Sequence, residues 1–187
     1  MKSNEKANVD FFVKEANNLK AIADTKTIAT PKLLGLGTDE GEEVGYSFLL
    51  LDFVELGNLD EKFWENFAEK LSKMHKAETS SYIKKEDREK NLIFGFYEDN
   101  YIGKTKQINT PKEKWIDFFR ENRLMPQFEM AKNHFEKEDF KLIDKLLENL
   151  EDFLVEPESP SLLHGDLWAG NVMCDTKPQA MLIDPAC

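Results

Sequence analysis

The chain has 187 residues, 41% of them hydrophobic, and a chain near this size buries roughly 70% of its unfolded surface, so one compact unit or two small lobes are expected. Its 36 acidic against 25 basic side chains leave a formal net charge of −11, which repels nucleic acid and anionic lipid and disfavours both as partners. The two cysteines, Cys174 and Cys187, lack zinc-binding spacing, and the longest strongly apolar run, Phe48 to Leu51, is too short to span a bilayer, so a reducing cytoplasm is the expected compartment, without export or membrane insertion.

In chain order, Val9, Phe12, Ala16, Leu19, Ile22 and Ala23 recur at helical spacing and predict an amphipathic helix over Val9 to Ala23, with Pro31 beyond its end. Lys32 to Leu36 and Tyr46 to Val54 read as strands about a glycine-punctuated turn, Gly37 to Gly45. Residues 55–58 break the pattern. Leu59, Phe63, Phe67, Leu71 and Met74 then mark a helix ending near His75, which reads as a helix-end cation rather than a ligand. Residues 78–90 read as a solvated connection, and Asn91 to Thr110 is too irregular for one regular element. Trp115, Phe118 and Phe119, then Phe128 and Ala131 past Pro126, predict a helical stretch. Phe140, Ile143, Leu146, Leu147 and Leu150 predict another, and the Phe and Trp clusters on these helices are expected in the core.

Chemistry concentrates in His164-Gly165-Asp166-Leu167-Trp168-Ala169-Gly170-Asn171 and in Leu182-Ile183-Asp184-Pro185. Apolar runs at 172–174 and 180–183 flank a segment rich in turn formers, 175–179, which predicts a β-hairpin. Asn171 and Asp184 are equidistant from the middle of that turn, so antiparallel pairing brings both to one open end. Magnesium takes one or two protein carboxylates and completes its octahedron with water and phosphate oxygens, so the pair suits a metal that arrives with ATP. Asp166 and Asn171 also stand at the spacing of the H-R-D-x-x-x-x-N loop of phosphoryl-transferring kinases, where Asp accepts the proton of the attacking hydroxyl and Asn holds magnesium. Gly165 and Gly170 permit a tight loop around Asp166. His164 is either a hydrogen-bonding strut for the loop or a direct catalyst, the structural role being favoured.

Ser161 to Asn171 together with Ile183-Asp184-Pro185-Ala186-Cys187 resembles the fructosamine kinase (ketosamine-3-kinase) family, a branch of the aminoglycoside-phosphotransferase-like kinases. Trp168 and the Asp-Pro-Ala-Cys segment separate this branch from its relatives. A second block, Gly95 to Asn109 followed by Trp115, Phe118, Phe119, Arg123 and Leu124, resembles the family pattern G-F-x-x-D-N-x-I-G-x-T-x-Q-x-N…W…F-F…R-L.

The resemblance implies an α+β, protein-kinase-like two-lobed fold, present in part: an incomplete N-lobe over 1–54, a hinge at 55–58, and over 59–187 a partial helical C-lobe with catalytic loop and metal-binding hairpin. It implies ATP-dependent phosphorylation of a sugar hydroxyl on a ketosamine, a fructosamine or ribulosamine, as a small molecule or bound to protein in a repair role. By the same resemblance Asp166 is the catalytic residue, Asn171 and Asp184 hold Mg2+, and backbone groups at Asp52, Phe53 and Val54 bind adenine. Lys2 and Glu15 would form the nucleotide-side ion pair, with an exposed helix charge as the alternative for Glu15. Asn100, Gln107 and Asn109 would hydrogen-bond the acceptor sugar, and Trp168 would either stack on it or brace the loop. The first glycine is Gly35, so the family's phosphate-covering loop has no counterpart, almost no strand precedes Lys2, and the family's helical lobe continues past Asp-Pro-Ala-Cys. The resemblance therefore covers the middle of the family's domain. Two alternatives follow: another kinase of the same superfold with an aminoglycoside, choline-like or homoserine-like acceptor, or a truncated, non-catalytic remnant with a marginal fold.

Overall fold

A three-stranded antiparallel sheet, one helix packed on it and a two-stranded hairpin organise the first of two units into which the chain divides; the computed structural model describes residues 1–5, 8–39 and 45–187. This first unit comprises Met1–Glu78, Asn100–Thr105 and Ser161–Cys187, and the second Thr79–Asp99 and Lys106–Pro160.

In the first unit, β1 (Lys2–Glu5) leads to α1 (Val9–Asp24), β2 (Leu33–Thr38) and β3 (Tyr46–Leu51). The strand order is β1-β3-β2, with Lys2 opposite Leu49 and Leu36 opposite the same residue from the other side. β1 has no apolar signal of its own; Lys-Ser-Asn-Glu forms a strand because β3 offers it a ladder. The apolar face of α1 buries Phe12 and Ala16 against Leu49, with Leu51 alongside, and each large side chain so buried contributes about 1.5–3 kcal/mol. The helix closes where the Thr25 hydroxyl donates to the Ile22 carbonyl at 2.7 Å.

Two strand boundaries differ from expectation. β3 stops at Leu51 rather than Val54, because Asp52 turns the chain: its N–H donates to the Lys32 carbonyl at 2.9 Å and its carboxylate accepts the Lys32 N–H at 2.6 Å. Beyond it the ring of Phe53 is 90% exposed, so the apolar run 46–54 overstated the strand. β2 begins at Leu33 and runs on to Thr38, and of the turn expected over 37–45, residues 40–44 lie outside the described residues.

Helix α2 (Phe63–His75) starts four residues after Leu59, since the Asp60 carboxylate accepts the Lys62 N–H in a preceding turn and Leu59 stays exposed. Its Phe63 packs with Cys174 and Ala180, which ties α2 to the hairpin described below. His75 lies in the last turn as expected, but burial lowers its pKa.

Residues 78–110 correct two further expectations. Residues 78–90 are not a plain solvated connection: Ser80–Tyr82 forms a 3-10 turn, α3 (Lys85–Arg88) follows, and Tyr82 and Ile83 are buried, with Tyr82 stacked on Phe96 at 6.0 Å. Two three-residue strands, β4 (Asn100–Ile102) and β5 (Thr105–Gln107), occur within the segment judged irregular. The helical stretch after Trp115 is continuous: α4 (Trp115–Phe119) passes through a π-helical turn, Arg120–Leu124, into α5 (Met125–Ala131). Pro126, which has no N–H to donate to the preceding turn, follows closely on the π-helical turn. α6 (Lys137–Glu148) opens with a capping box between Glu136 and Asp139. Its aromatic residue is less buried than expected, because Phe140 is 43% exposed and meets Phe135 only edge-on at 5.9 Å.

Candidate active site

The loop that carries Asp166 is anchored by backbone bonds to His164. Its ring is buried; Nε2 lies 2.9 Å from the Ile183 carbonyl and Nδ1 accepts the Asp166 N–H at 3.3 Å. These partners define a neutral imidazole with its proton on Nε2. Burial lowers the His164 pKa in the same direction, against the smaller opposing pull of the Ile183 bond and the charges of Asp166 and Asp184. Both ring nitrogens are thus engaged by main chain. The His164 carbonyl also accepts the Ala186 N–H at 2.7 Å. Gly165 is required at this crossing: its φ is +81°, and a Cβ there would stand 2.0 Å from the Ala186 oxygen.

From Gly165 the chain exposes Asp166, Leu167 and Trp168, makes a 3-10 turn over Ala169–Asn171, and enters the hairpin of β6 (Val172–Cys174) and β7 (Ala180–Leu182). Register pairs Val172 with Leu182, and the Ile183 N–H donates to the Asn171 carbonyl at 3.1 Å. Asn171 and Asp184 therefore share the open end of the hairpin, as the turn's symmetry predicts. The buried Asn171 amide donates to the Asp166 carbonyl at 2.8 Å and to its carboxylate at 3.2 Å. This orients its remaining amide atom, Oδ1, as the oxygen donor. Asp184 has a φ of +54°, in the left-handed region that Asp tolerates better than most residues.

Lys2 reaches this end from β1. Its ammonium donates to Glu15 Oε1 at 2.7 Å and to the Asp184 carboxylate. Burial alone would lower the Lys2 pKa, yet the bonds to Asp184 and Glu15 outweigh it and hold the ammonium above its ordinary value. Glu15 is shifted up by burial, against the lowering influence of Lys2, with the Asp184 charge adding to the rise. Lys2, Glu15, Asp166 and Asp184 line one cavity of about 730 Å³, with Phe11 and Tyr101 in its wall. Those two rings stack at 4.1 Å, and the Tyr101 hydroxyl donates to Asp10 at 3.0 Å.

The donor set fits a hard cation of low protein coordination. Asp184 and Asn171 supply a carboxylate and an amide oxygen, and a lysine ammonium already lies against that carboxylate. No group of three or more His, Cys, Asp or Glu able to hold a metal occurs among the described residues. Two protein oxygens leave the other positions to phosphate and water, which is the preference of Mg2+.

The other residues singled out by resemblance are placed differently from one another. The Asp52 N–H and carboxylate are both engaged with Lys32, so adenine contacts through that residue's N–H do not fit, while Val54 is half-buried and the Phe53 ring is exposed. Asn100 is fully buried and donates to Asn18 Oδ1 at 3.3 Å and to the Cys187 carbonyl. In the second unit Asn109 is 2% exposed, donates to the Glu98 carbonyl at 3.1 Å and accepts from Arg123 at 2.7 Å. Both amides, expected from resemblance to face the acceptor sugar, are sealed and bonded to protein groups that brace their own segments. Gln107 is half-buried in β5. Trp168 is 63% exposed, and a Cβ on Gly170 would stand 2.3 Å from its ring, so the indole lies on its own loop and shows solvent its other side. Sequence reasoning missed Asn18, whose only signal was its place on the Glu15 face of α1, three residues on. It also gave no role to Arg123, which donates to the Ile108 carbonyl at 2.6 Å and lies over Phe118 at 4.7 Å.

Fold and site together place the chain in the protein-kinase-like α+β class. The comparison with known proteins is narrower: the whole chain, residues 1–187, matches the fructosamine kinase family, and it belongs to that family. Over its full length it is 37% identical to the chloroplastic protein-ribulosamine 3-kinase of Oryza sativa subsp. japonica, of which it covers 51%. It is 31% identical to a probable ketoamine kinase of Escherichia coli (strain K12), covering all of this chain and 59% of that one. A Haemophilus somnus 129PT crystal structure, provisionally described as a fructosamine-3-kinase, superposes with a TM-score of 0.79 at 27% identity, over 100% of this chain and 57% of its own. The chain spans about half the length of the curated relatives it matches. No helix among the described residues is long and apolar enough to cross a membrane.

Proposed function

We propose that the protein transfers the γ-phosphate of ATP to a sugar hydroxyl of a ketosamine. The observation that carries this reading is the convergence of Lys2, Glu15, Asp166 and Asp184 on one cavity, with Asn171 bonded to the Asp166 carboxylate. Asp166, exposed on a loop held from both sides, would orient the acceptor hydroxyl and take its proton as the new oxygen–phosphorus bond forms and the bond to the ADP oxygen breaks. Lys2, kept charged by its two carboxylates, would hold phosphate oxygens of ATP. Asn171 and Asp184 would hold Mg2+, which supplies charge neutralisation at those oxygens. Adenine would lie along the chain at 53–54, ahead of a hinge at 55–58 that separates the lobes 1–54 and 59–187. Positioning and charge stabilisation account for most of the acceleration in such transfers, so few protein groups need react.

The ketosamine acceptor, small or protein-bound, is supported by the relatives, which are named ribulosamine and ketoamine kinases. They favour it over aminoglycoside, choline-like or homoserine-like acceptors and over a non-catalytic remnant. A cytoplasmic site of action belongs to the same reading. The test is a panel of ribulosamines, fructosamines, aminoglycosides, choline and homoserine offered with ATP and Mg2+ to the protein as its gene encodes it. Phosphate transfer to ketosamines above all others is expected; transfer to another class, or to none, rejects the reading.

A further inference from the structure

The backbone after Asp184 is held by side chains from two distant elements. Asn18, on α1, is 2% exposed and donates to the Pro185 carbonyl at 3.0 Å. Asn100, on β4, is fully buried and donates both to the Cys187 carbonyl and to Asn18 Oδ1. The two amides therefore form one linked unit gripping the first and third residues after Asp184. Between these grips the Ala186 N–H is bonded to the His164 carbonyl, and before Asp184 the Ile183 N–H is bonded to the Asn171 carbonyl. Asp184 itself is the one residue of this stretch with a positive φ. A non-glycine residue stays in that region only where its surroundings over-determine it.

We propose that Asn18 and Asn100 are positioning residues that fix the Asp184 carboxylate by clamping the carbonyls of Pro185 and Cys187. Two geometric facts favour this over general core bracing. Asn18 lies one helical turn from Glu15, on the same face of α1, so one short stretch of helix orients Lys2 through Glu15 and the Asp184 backbone through Asn18. Moreover, the two amides are bonded to each other as well as to the main chain on either side of Ala186, and buried amides leave a strong directional imprint because an unpaired partner is unfavourable. Loss of either amide frees the segment to relax toward an ordinary φ, which swings the carboxylate away from the hairpin end and from Lys2.

The proposal rests on the reading of Asp184 as a metal ligand, and its test separates the two. Asn18→Ala, Asn100→Ala and the milder Asn100→Ser are made in the protein as its gene encodes it. Hydrogen exchange over 183–187 is followed without metal or nucleotide, and ATP affinity is titrated with and without Mg2+. Exchange in this segment is expected to accelerate at least tenfold in each folded variant while α2 and α6 are unchanged. The Mg2+-dependent gain in ATP affinity is expected to fall about tenfold, with metal-free ATP affinity retained. Unchanged exchange and an unchanged Mg2+ gain in any folded variant, with a normal parent, overturn the clamp alone. A parent that shows no Mg2+-dependent ATP binding overturns the metal-ligand reading and the proposal with it.

Discussion

The imidazole of His164 donates through Nε2 to the carbonyl of Ile183 at 2.9 Å, joining the start of the loop that carries Asp166 to the residue immediately before Asp184. The two carboxylates of the site are thus referenced to one buried ring, which must be neutral because its Nδ1 accepts a backbone N–H.

That geometry sets a pH dependence. The folded-state pKa of His164 is lowered, so the unfolded chain binds more protons as pH falls. The stabilisation is complete above the unfolded imidazole value of about 6.5 and is lost as pH drops toward the folded value. Urea midpoints at several pH values between about 5 and 8 should show a steeper acid loss for the parent than for His164→Gln, which keeps a donor but does not titrate. Parallel slopes would show that His164 contributes nothing to the acid sensitivity.

Asp166→Asn should reduce ketosamine phosphorylation by about 10²–10⁴-fold, the usual worth of general-base assistance. ATP affinity should change little, because the substitution keeps the shape of the side chain and leaves Lys2 and Asp184 paired. Turnover within about threefold of the parent would remove Asp166 from the proton transfer.

Asp184→Ala removes the carboxylate proposed to hold Mg2+, which is also bonded to the Lys2 ammonium. Mg2+-dependent nucleotide affinity should fall by at least about 10–100-fold, a range found even for outer-shell partners of metals. The loss should exceed that of Asp166→Asn in the same titration, and equal losses would contradict the division of roles.

Glu15→Gln removes one of the two negative charges bonded to the Lys2 ammonium and keeps an amide oxygen in its place. Lys2 is 35% exposed at its side chain, so solvent screening limits the stability change to about 1 kcal/mol. The effect should be seen chiefly as a KM for ATP raised by about tenfold, equivalent to about 1.4 kcal/mol in binding. A large fall in melting temperature with an unchanged KM would make the pair structural only.

Gly165→Ala should be far more damaging than Gly103→Ala. Both residues have positive φ, but a Cβ at Gly165 meets the Ala186 oxygen at 2.0 Å, whereas one at Gly103 meets nothing within 4 Å. Gly103→Ala should cost about 1 kcal/mol for the left-handed backbone alone. Gly165→Ala adds a steric conflict between loop and Asp184 segment, and should lower both the melting temperature and the rate. Equal melting shifts for the two variants would show that the crossing at Gly165 is not tight.

Much of the site was legible because its information is local. Asp166 and Asn171 are five residues apart on one loop, and Asn171 and Asp184 are symmetric about one hairpin turn, so spacing alone brings them together. The amphipathic periods of α1 and α2 likewise determined which faces are buried, since a 3.6-residue repeat of apolar side chains has one way to leave water. Element ends were less legible: Asp52 stops β3 through hydrogen bonds to Lys32, a residue distant in sequence and without a signal of its own.

Tertiary structure decided what those local elements do to each other. Lys2 finds one carboxylate 13 residues away and another 182 residues away. Composition cannot say that a lysine in a polar edge strand will be so paired. Asn100 and Asn109 are polar residues in a motif that reads as a sugar-binding loop, yet both are sealed inside the protein, where buried amides must bond to protein groups. Asn18 carried no motif at all and became visible only when α1, β4 and the segment after Asp184 met. The sequence by itself thus determined the candidate groups, their spacing and the elements that present them, because these depend on neighbours along the chain. Their partners and burial were decided by packing between distant segments, where a side chain's role depends on what stands opposite it.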